Sequence, residues 1–200
     1  VLVDIDKDTL TIDYKKIEEK INIRTKAIIV VHQFGHAAHM DEIKEIAKKN
    51  NLKIIEDNAE SIGGKYKKSL LGTIGDVGTL SFFANKIITT GEGGALITNN
   101  KSIADKARIL RDHGMSKKVK YHFMYQGFNY RITNMQAAIG VSQIKKLKKI
   151  LILRDQQMKL YYQILSKNKD VELRKFSNWT KPVHWLMTIA IKHEDSSRRI

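Results

Sequence analysis

The sequence contains no cysteine, which excludes disulfide frameworks, cysteine nucleophiles and zinc–thiolate centres. It has no internal repeat, no low-complexity segment and no apolar run close to the roughly 18 residues that span a membrane. Residues 1–6 resemble a strand and lack the pattern of a signal peptide. We therefore expect a cytoplasmic globular protein without a membrane partner.

Acidic residues are scarce: 21 Asp and Glu stand against 36 Lys and Arg, for a net charge of +15. A field of this sign attracts anions, including nucleic acids and nucleotide-linked substrates. The lysines are scattered, however, with the densest run at residues 145–149. No nucleic-acid-binding motif accompanies them. An AT-rich genome, which would favour Lys, Ile and Asn codons, is therefore the favoured explanation and a nucleic-acid partner the less favoured one.

Hydrophobic periodicity predicts an α/β fold. Residues 26–32 and 52–56 read as buried strands, and residues 41–51 between them as a helix, which predicts parallel pairing. Asp57 then lies at the carboxyl end of a strand, where open α/β sheets bind their ligands. Further elements are predicted as strands at residues 77–83, 94–98 and 186–191, and as helices at residues 102–111, from 133 onward and at 151–166.

A change of character from Val171 onward predicts a second domain. We assign residues 1–150 to part of a large domain, and residues 151–200 to a connecting helix and the beginning of a smaller domain.

An acid, a lysine and a turn rich in Ser and Gly follow one another in an informative order. Asp57 ends the apolar strand, Ser81 begins the segment SFFANK that ends at Lys86, and the glycines of TTGEGG follow. A pyridoxal phosphate site needs these three groups. The acid pairs with the pyridine nitrogen, the lysine forms the Schiff base and the turn holds the phosphate.

Several motifs together resemble the DegT/DnrJ/EryC1/StrS family of sugar aminotransferases. They are DNAES at residues 57–61, SFFANK at 81–86, GEGG at 91–94, GFNYR at 127–131 and NMQAA at 134–138. Residues 81–94 are most similar to the GDP-perosamine synthase branch. The resemblance implies the aspartate-aminotransferase fold, fold type I of the pyridoxal phosphate enzymes. That is an α/β large domain with a mostly parallel sheet, plus the start of a smaller α+β C-terminal domain.

The resemblance also implies residue roles. Lys86 matches the Schiff-base lysine, which later carries the proton between cofactor and substrate carbon. Asp57 matches the carboxylate on the pyridine nitrogen, and Ala59 the small residue under the ring. Glu60 stands where the family has Gln or Glu near the ring hydroxyl. Ser81 matches a phosphate ligand.

Asn129 matches a residue that reaches the cofactor phosphate of the neighbouring subunit. The resemblance therefore implies a homodimer with a shared active site. The aromatic side chains of residues 121–130 are expected at that interface and not as a base-stacking surface. His32 and Arg131 are candidate substrate contacts. No metal is expected, because His32, His36 and His39 straddle a strand end, a turn and a helix start.

The implied reaction moves an amino group from glutamate to a nucleotide-linked 4-keto-6-deoxysugar, for a perosamine- or viosamine-type product in surface glycan biosynthesis. Lys86 argues against a family branch that carries histidine there and performs dehydration. Family members have longer N- and C-terminal parts, so we expect a fragment with part of the cofactor site. The alternative is a non-catalytic regulatory or nucleic-acid-binding protein with the same fold.

Overall fold

The structure is a computed structural model that describes residues 1–192. The strands are β1 (Ala27–Val31), β2 (Lys53–Asp57), β3 (Lys65–Tyr66), β4 (Ser69–Leu70), β5 (Val77–Ser81), β6 (Gly94–Ile97), β7 (Val171–Leu173), β8 (Thr180–Lys181) and β9 (Ile189–Ile191). The helices are α1 (Met40–Lys49), α2 (Lys101–Leu110) and α3 (Asn134–Leu165).

The main sheet has the strand order β1-β2-β5-β6. Its first three strands are parallel, and β6 runs antiparallel to β5. Helix α1 connects the parallel strands β1 and β2, which confirms the predicted strand–helix–strand unit and the α/β class with a mostly parallel sheet. Two smaller antiparallel sheets contain β4-β3-β8 and β7-β9.

One face of the main sheet is covered by α1. The helix buries Met40, Ile43 and Ala47 along one stripe, and they pack with Ile28, Val30 and Ile54 of the strands. Acidic residues occupy its first turn and lysines its last turn, which favours the helix dipole at both ends. The apolar spacing of this segment therefore determines both the helix and the side of the sheet on which it lies.

Helix α3 is continuous over 32 residues, so the prediction of two helices that meet near residue 151 is wrong. Residues 141–165 contain neither glycine nor proline, and nothing local ends the helix. The sequence offers Thr133 or Asn134 as the N-cap; Thr133 takes this position and forms a capping box with Gln136. The proposed division at residues 150 and 151 falls inside this helix and stays a prediction.

The first residues do not form the predicted strand. They contribute a single bridge between Ile5 and Ile12, because a polar turn intervenes. The Asp6 carboxylate accepts hydrogen bonds from the Thr9 amide and hydroxyl, and Leu10 adopts a positive φ of 56°. The strand predicted at residues 186–191 is shorter than expected and covers Ile189–Ile191.

A buried carboxylate connects the central strand to its surroundings. Glu56 of β2 is fully buried and accepts four hydrogen bonds. His32 Nε2 donates to it at 2.9 Å and the Gly72 amide at 2.8 Å, while the Ile74 and Gly75 amides donate at 2.6 Å each. His32 Nδ1 accepts from the Ala38 amide, so Nε2 carries the proton of a neutral ring.

Burial alone would raise the pKa of Glu56, but the hydrogen bonds from His32 and from the Gly75 and Gly72 amides outweigh burial. Its pKa is held below the usual range. The charged carboxylate is therefore the form that the fold stabilises.

We predict that Glu56→Gln lowers the free energy of unfolding by about 3 kcal/mol, because an amide group would turn an N–H towards backbone donors and leave them unsatisfied. Urea denaturation measures the change. Glu18→Gln is the matched control, since the Glu18 carboxylate is exposed and pairs with the exposed Lys49, and we expect no measurable loss. An equal effect of the two substitutions would contradict a special role for Glu56.

His36 connects the turn after β1 to the C-terminal segment. Its side chain is fully buried. Nδ1 donates to the Ala37 carbonyl at 2.7 Å, and Nε2 accepts from the Ser177 amide at 3.2 Å. The ring also stacks on Phe176, with centroids 5.6 Å apart. Burial lowers the pKa of His36 to about 4, and the charge of Arg174 acts in the same direction.

Because the folded state keeps His36 neutral, we predict that stability falls as pH decreases from about 6.5 to about 4. His36 alone would contribute a loss of about 3 kcal/mol, since the unfolded chain binds a proton that the folded protein excludes. Urea denaturation at several pH values should show a shallower pH slope for His36→Gln. The exposed His122→Gln should keep the wild-type slope. Identical slopes in all three proteins would disprove this account.

Candidate active site

Asp57 and Ser81 lie on one face of the main sheet, near the carboxyl ends of neighbouring parallel strands. Asp57 of β2 is paired with Thr79 of β5, and Ser81 follows Thr79 by two residues. Paired residues, and residues two apart on a strand, project to the same side of a sheet. Glu56 projects to the opposite, buried side. The strand register therefore brings two predicted cofactor residues to one edge.

The Asp57 carboxylate has a fixed position and a free oxygen. Oδ1 accepts a hydrogen bond from the Ala59 amide at 3.0 Å. The backbone carbonyl of Asp57 also accepts from the His32 amide at 3.1 Å, which extends the β1–β2 pairing. Within residues 1–192 no hydrogen bond reaches Oδ2, so this oxygen can accept a hydrogen bond from a ligand.

Lys86 lies in a turn just after β5. Its amide donates to the Phe83 carbonyl at 3.0 Å. The next two residues, Ile87 and Ile88, are buried in a hydrophobic cluster with Ile62, Val183 and Trp185. The backbone on the C-terminal side of Lys86 is thus anchored in the core, whereas its own side chain is only partly buried.

The segment that contains Lys86 is closed into a compact loop. The Phe82 amide donates to the Gly93 carbonyl at 2.8 Å, and the Thr90 amide donates to the Phe82 carbonyl at 2.9 Å. Ser81 Oγ accepts from the Phe83 amide at 3.3 Å. Gly93 has a φ of 143°, a conformation that side-chain-bearing residues rarely adopt. The glycines after Lys86 thus close the loop beside Ser81.

The Glu60 side chain is hydrogen-bonded to the turn after β1. Its Oε2 accepts from the Phe34 amide at 2.7 Å. Phe34 has a positive φ of 51°, a conformation that is uncommon for a non-glycine residue. Ala59 precedes Glu60 and places no large side chain next to Asp57. Asp57, Ala59 and Glu60 therefore form one short segment beyond the end of β2.

His32 occupies a different environment from the one predicted. Its side chain is fully buried, and both ring nitrogens are used, by Glu56 and by the Ala38 amide. This placement makes His32 a support behind the sheet edge and leaves it no free nitrogen for a substrate. Contact between His32 and substrate has no support in this geometry.

Asn129 and Arg131 lie in an exposed loop, apart from the residues above. Asn129 pairs through its backbone with Asp112, and Arg131 Nε lies 3.4 Å from Asp112 Oδ1. In the described part of the chain, neither residue forms a hydrogen bond or an ion pair with Asp57, Ser81 or Lys86. Their predicted roles in the neighbouring subunit's site and in substrate binding stay predictions.

The described residues include no set of three His, Asp or Glu side chains arranged to hold a metal ion. None of the helices within residues 1–192 combines the length and the apolar character needed to cross a membrane.

The arrangement fits pyridoxal phosphate. The free oxygen of Asp57 can accept a hydrogen bond from the protonated ring nitrogen. Within residues 1–192, no carboxylate forms an ion pair with the amine of Lys86, so the amine is available to the cofactor. Ser81 supplies a hydroxyl on the same sheet face as Asp57. The carboxylate, the amine and the hydroxyl thus match the ring nitrogen, the aldehyde and the phosphate of the cofactor.

Two residues around this site escaped the sequence analysis. Glu56 could have been detected, because an acid that shares the buried strand face with Ile54 needs internal partners. Trp185 contacts the Lys86 side chain, with the amine 3.8 Å from the ring centroid. Trp185 lies far along the chain, and no local pattern connects it to Lys86.

The description of the matching family model is DegT/DnrJ/EryC1/StrS aminotransferase family, and the match covers residues 1–200. The chain is 42% identical to the GDP-perosamine synthase of Caulobacter vibrioides, over 100% of this chain and 54% of that protein.

Two solved structures share the fold. The structure of S. venezuelae DesV in complex with a ketimine intermediate superposes with a TM-score of 0.90 and 31% identity, over 98% of this chain and 52% of that one. The E. coli GDP-4-keto-6-deoxy-D-mannose-3-dehydratase with bound hydrated PLP superposes with a TM-score of 0.86 and 27% identity, over 97% and 54%.

The chain spans about half the length of the curated relatives it matches. The family match covers every residue, and the structural match to DesV covers 98% of the chain. The chain therefore belongs to the DegT/DnrJ/EryC1/StrS aminotransferase family.

Proposed function

We propose that the protein is a pyridoxal phosphate-dependent aminotransferase that transfers an amino group from glutamate to a nucleotide-linked 4-keto-6-deoxysugar. The observation that carries the proposal is the sheet register. It brings Asp57 and Ser81 to one edge, and the loop that follows Ser81 presents Lys86. A perosamine- or viosamine-type amino sugar for surface glycans would be the product. A cytoplasmic location stays part of this proposal.

Each residue would have a distinct task. Pyridoxal phosphate, when bound, supplies an aldehyde carbon that takes the amino group and a conjugated ring that accepts electrons. Asp57 would keep the ring nitrogen protonated through its free oxygen. Lys86 would bind the cofactor covalently and afterwards carry a proton to and from the substrate carbon. Ser81 would hold the phosphate, with Ala59 under the ring and Glu60 near the ring hydroxyl.

The substrate class is supported by the relatives. The C. vibrioides protein is named a GDP-perosamine synthase, and the E. coli structure is named for a GDP-linked keto-deoxysugar. The net charge of +15 suits an anionic nucleotide diphosphate. We propose GDP or dTDP as the carrier, and glutamate as the amino donor by family resemblance.

We predict that the whole protein, expressed from its complete reading frame, carries a pyridoxyl group on Lys86 after incubation with pyridoxal phosphate and reduction with borohydride. Peptide mass spectrometry identifies the modified lysine. Lys86→Arg keeps the positive charge but cannot form the bond, so it should lose the label and lower amino transfer by at least about a thousandfold.

Lys68→Arg is the matched control, because Lys68 is an exposed lysine remote from Lys86 in sequence. It should retain both the label and the activity. A wild-type protein labelled on another lysine, or not labelled, would disprove the role of Lys86. Mass and NMR analysis of products from a panel of nucleotide ketosugars would identify the sugar.

We propose that the protein works as a homodimer whose subunits share active sites. The loop around Asn129 exposes large apolar side chains. Tyr121 and Tyr130 are each 73% exposed, and Met135 at the start of α3 is 79% exposed. Phe128 and Tyr130 stack with centroids 5.0 Å apart, which gives the loop a defined apolar surface. A second copy would cover this surface and receive Asn129 at its cofactor phosphate.

Mixing two inactive variants tests the shared site. Lys86→Arg loses the lysine of its own subunit, and Asn129→Ala loses the group donated to the partner. If subunits exchange at random, half of the dimers are mixed and each has one intact site. Activity should therefore recover to about a quarter of the wild-type value.

The matched control mixes Lys86→Arg with Lys86→Arg/Asn129→Ala, which assembles no intact site and should stay inactive. Absence of recovery in the first mixture, with subunit exchange verified by mass spectrometry of differently tagged chains, would disprove the shared site.

A further inference from the structure

The side chain of Lys86 rests on an aromatic ring. Its Nζ lies 3.8 Å from the centroid of the Trp185 indole, well inside the roughly 6 Å range of a cation–π contact. Tryptophan offers the most favourable ring for this contact. Because no ion pair of Lys86 occurs within residues 1–192, the indole is the group that determines where the ammonium lies.

The indole is itself held in place next to the lysine. Trp185 Nε1 donates to the carbonyl of Asn85, the residue before Lys86, at 2.8 Å. The side chain is 8% exposed and packs with Ile87 and Ile88, the two residues after Lys86. The ring is therefore bound to the same short loop on both sides of the lysine.

The backbone that carries Trp185 is anchored on the turn after β1. The Val183 amide donates to the Gly35 carbonyl at 3.1 Å. A side chain at Gly35 would collide with the Val183 carbonyl, since a Cβ would lie 1.8 Å from that oxygen. This close contact fixes the C-terminal segment across the end of the sheet, and so fixes the height of the indole above Lys86.

We infer that Trp185 is a positioning residue for Lys86, an inference that rests on the proposed function. The free lysine side chain samples many rotamers, and the indole face restricts them to those that keep the amine over the ring. In the bond-forming step, the ammonium would first release one proton to water, and the amine nitrogen would then form a C=N bond with the cofactor's aldehyde carbon. The carbonyl oxygen would leave as water with the two remaining hydrogens. An amine that is already oriented reaches this step faster.

A tryptophan that only fills the core would not affect the lysine in this way, and NMR distinguishes the two roles. In the whole protein labelled with ¹³C at lysine Cε, the protons on the Cε of Lys86 are next to an Nζ that lies 3.8 Å from the indole centroid, so they should resonate upfield of the other lysines. Lys86→Met assigns the signal by removing it. Trp185→Leu should return the signal to the range of the other lysines, and Trp185→Phe should keep most of the shift.

The rate of label formation tests the functional consequence. Incubation with pyridoxal phosphate, borohydride quenching at successive times and peptide mass spectrometry give the rate at Lys86. Trp185→Leu should slow this rate by about tenfold, the factor that corresponds to about 1.4 kcal/mol. Trp185→Phe keeps a ring face and should stay within about threefold of wild type. Trp179→Phe, a change of the only other tryptophan, should label at the wild-type rate.

The outcomes separate this inference from the proposed function. If wild-type Lys86 never takes the label, the proposed function fails, and with it the task that Trp185 would serve. If wild-type Lys86 is labelled and Trp185→Leu is labelled equally fast or faster, the positioning role alone is overturned. A wild-type circular dichroism spectrum and a cooperative urea transition verify that Trp185→Leu is folded, so a slow rate cannot be assigned to unfolding.

Discussion

The hydrogen bonds of the buried Glu56 carboxylate constrain the rest of the structure. A charge in the core needs full compensation, and four donors from two separate segments supply it. His32 comes from the end of β1, whereas the amides come from the chain just before β5. The carboxylate therefore fixes the strands on both sides of β2, and fixes where β2 ends. The position of Asp57, the next residue, is therefore set by the hydrogen bonds of Glu56.

The site shows how a sheet divides structural and chemical tasks between adjacent residues. Glu56 projects into the core and Asp57 to the opposite face, because strand side chains alternate. One carboxylate has four internal donors, whereas within residues 1–192 the second oxygen of the other accepts no hydrogen bond. The same alternation explains why His32 supports the site from behind: its ring lies on the face of Glu56. Two neighbouring acids thus have unrelated functions that the strand geometry separates.

The parts of the fold that the sequence predicts are those determined by local patterns. Strands β1, β2 and β5 and helix α1 follow from apolar spacing, and capping chemistry limits the start of α3 to Thr133 or Asn134. Asp57, Ser81 and Lys86 were identified from chemistry and family resemblance. Residues that depend on distant contacts were not predictable in this way. Trp185 meets Lys86 only through the tertiary fold, and the partners of Glu56 lie in other segments of the chain. The break predicted in α3 was wrong because no residue there ends a helix.

Helix α3 has a mechanical consequence. At 1.5 Å per residue its 32 residues form a rod about 48 Å long. Leu147, Ile150 and Leu151, near its midpoint, pack on the hydrophobic cluster behind Lys86. Near the far end, the Tyr162 hydroxyl binds the Arg174 carbonyl beside β7. If the helix tilts about its centre by about five degrees, each end moves by about 2 Å while the middle barely moves. A displacement of the C-terminal strands would thus move the Asn134 end of the helix in the opposite direction, while the loop that contains Lys86 stays in place.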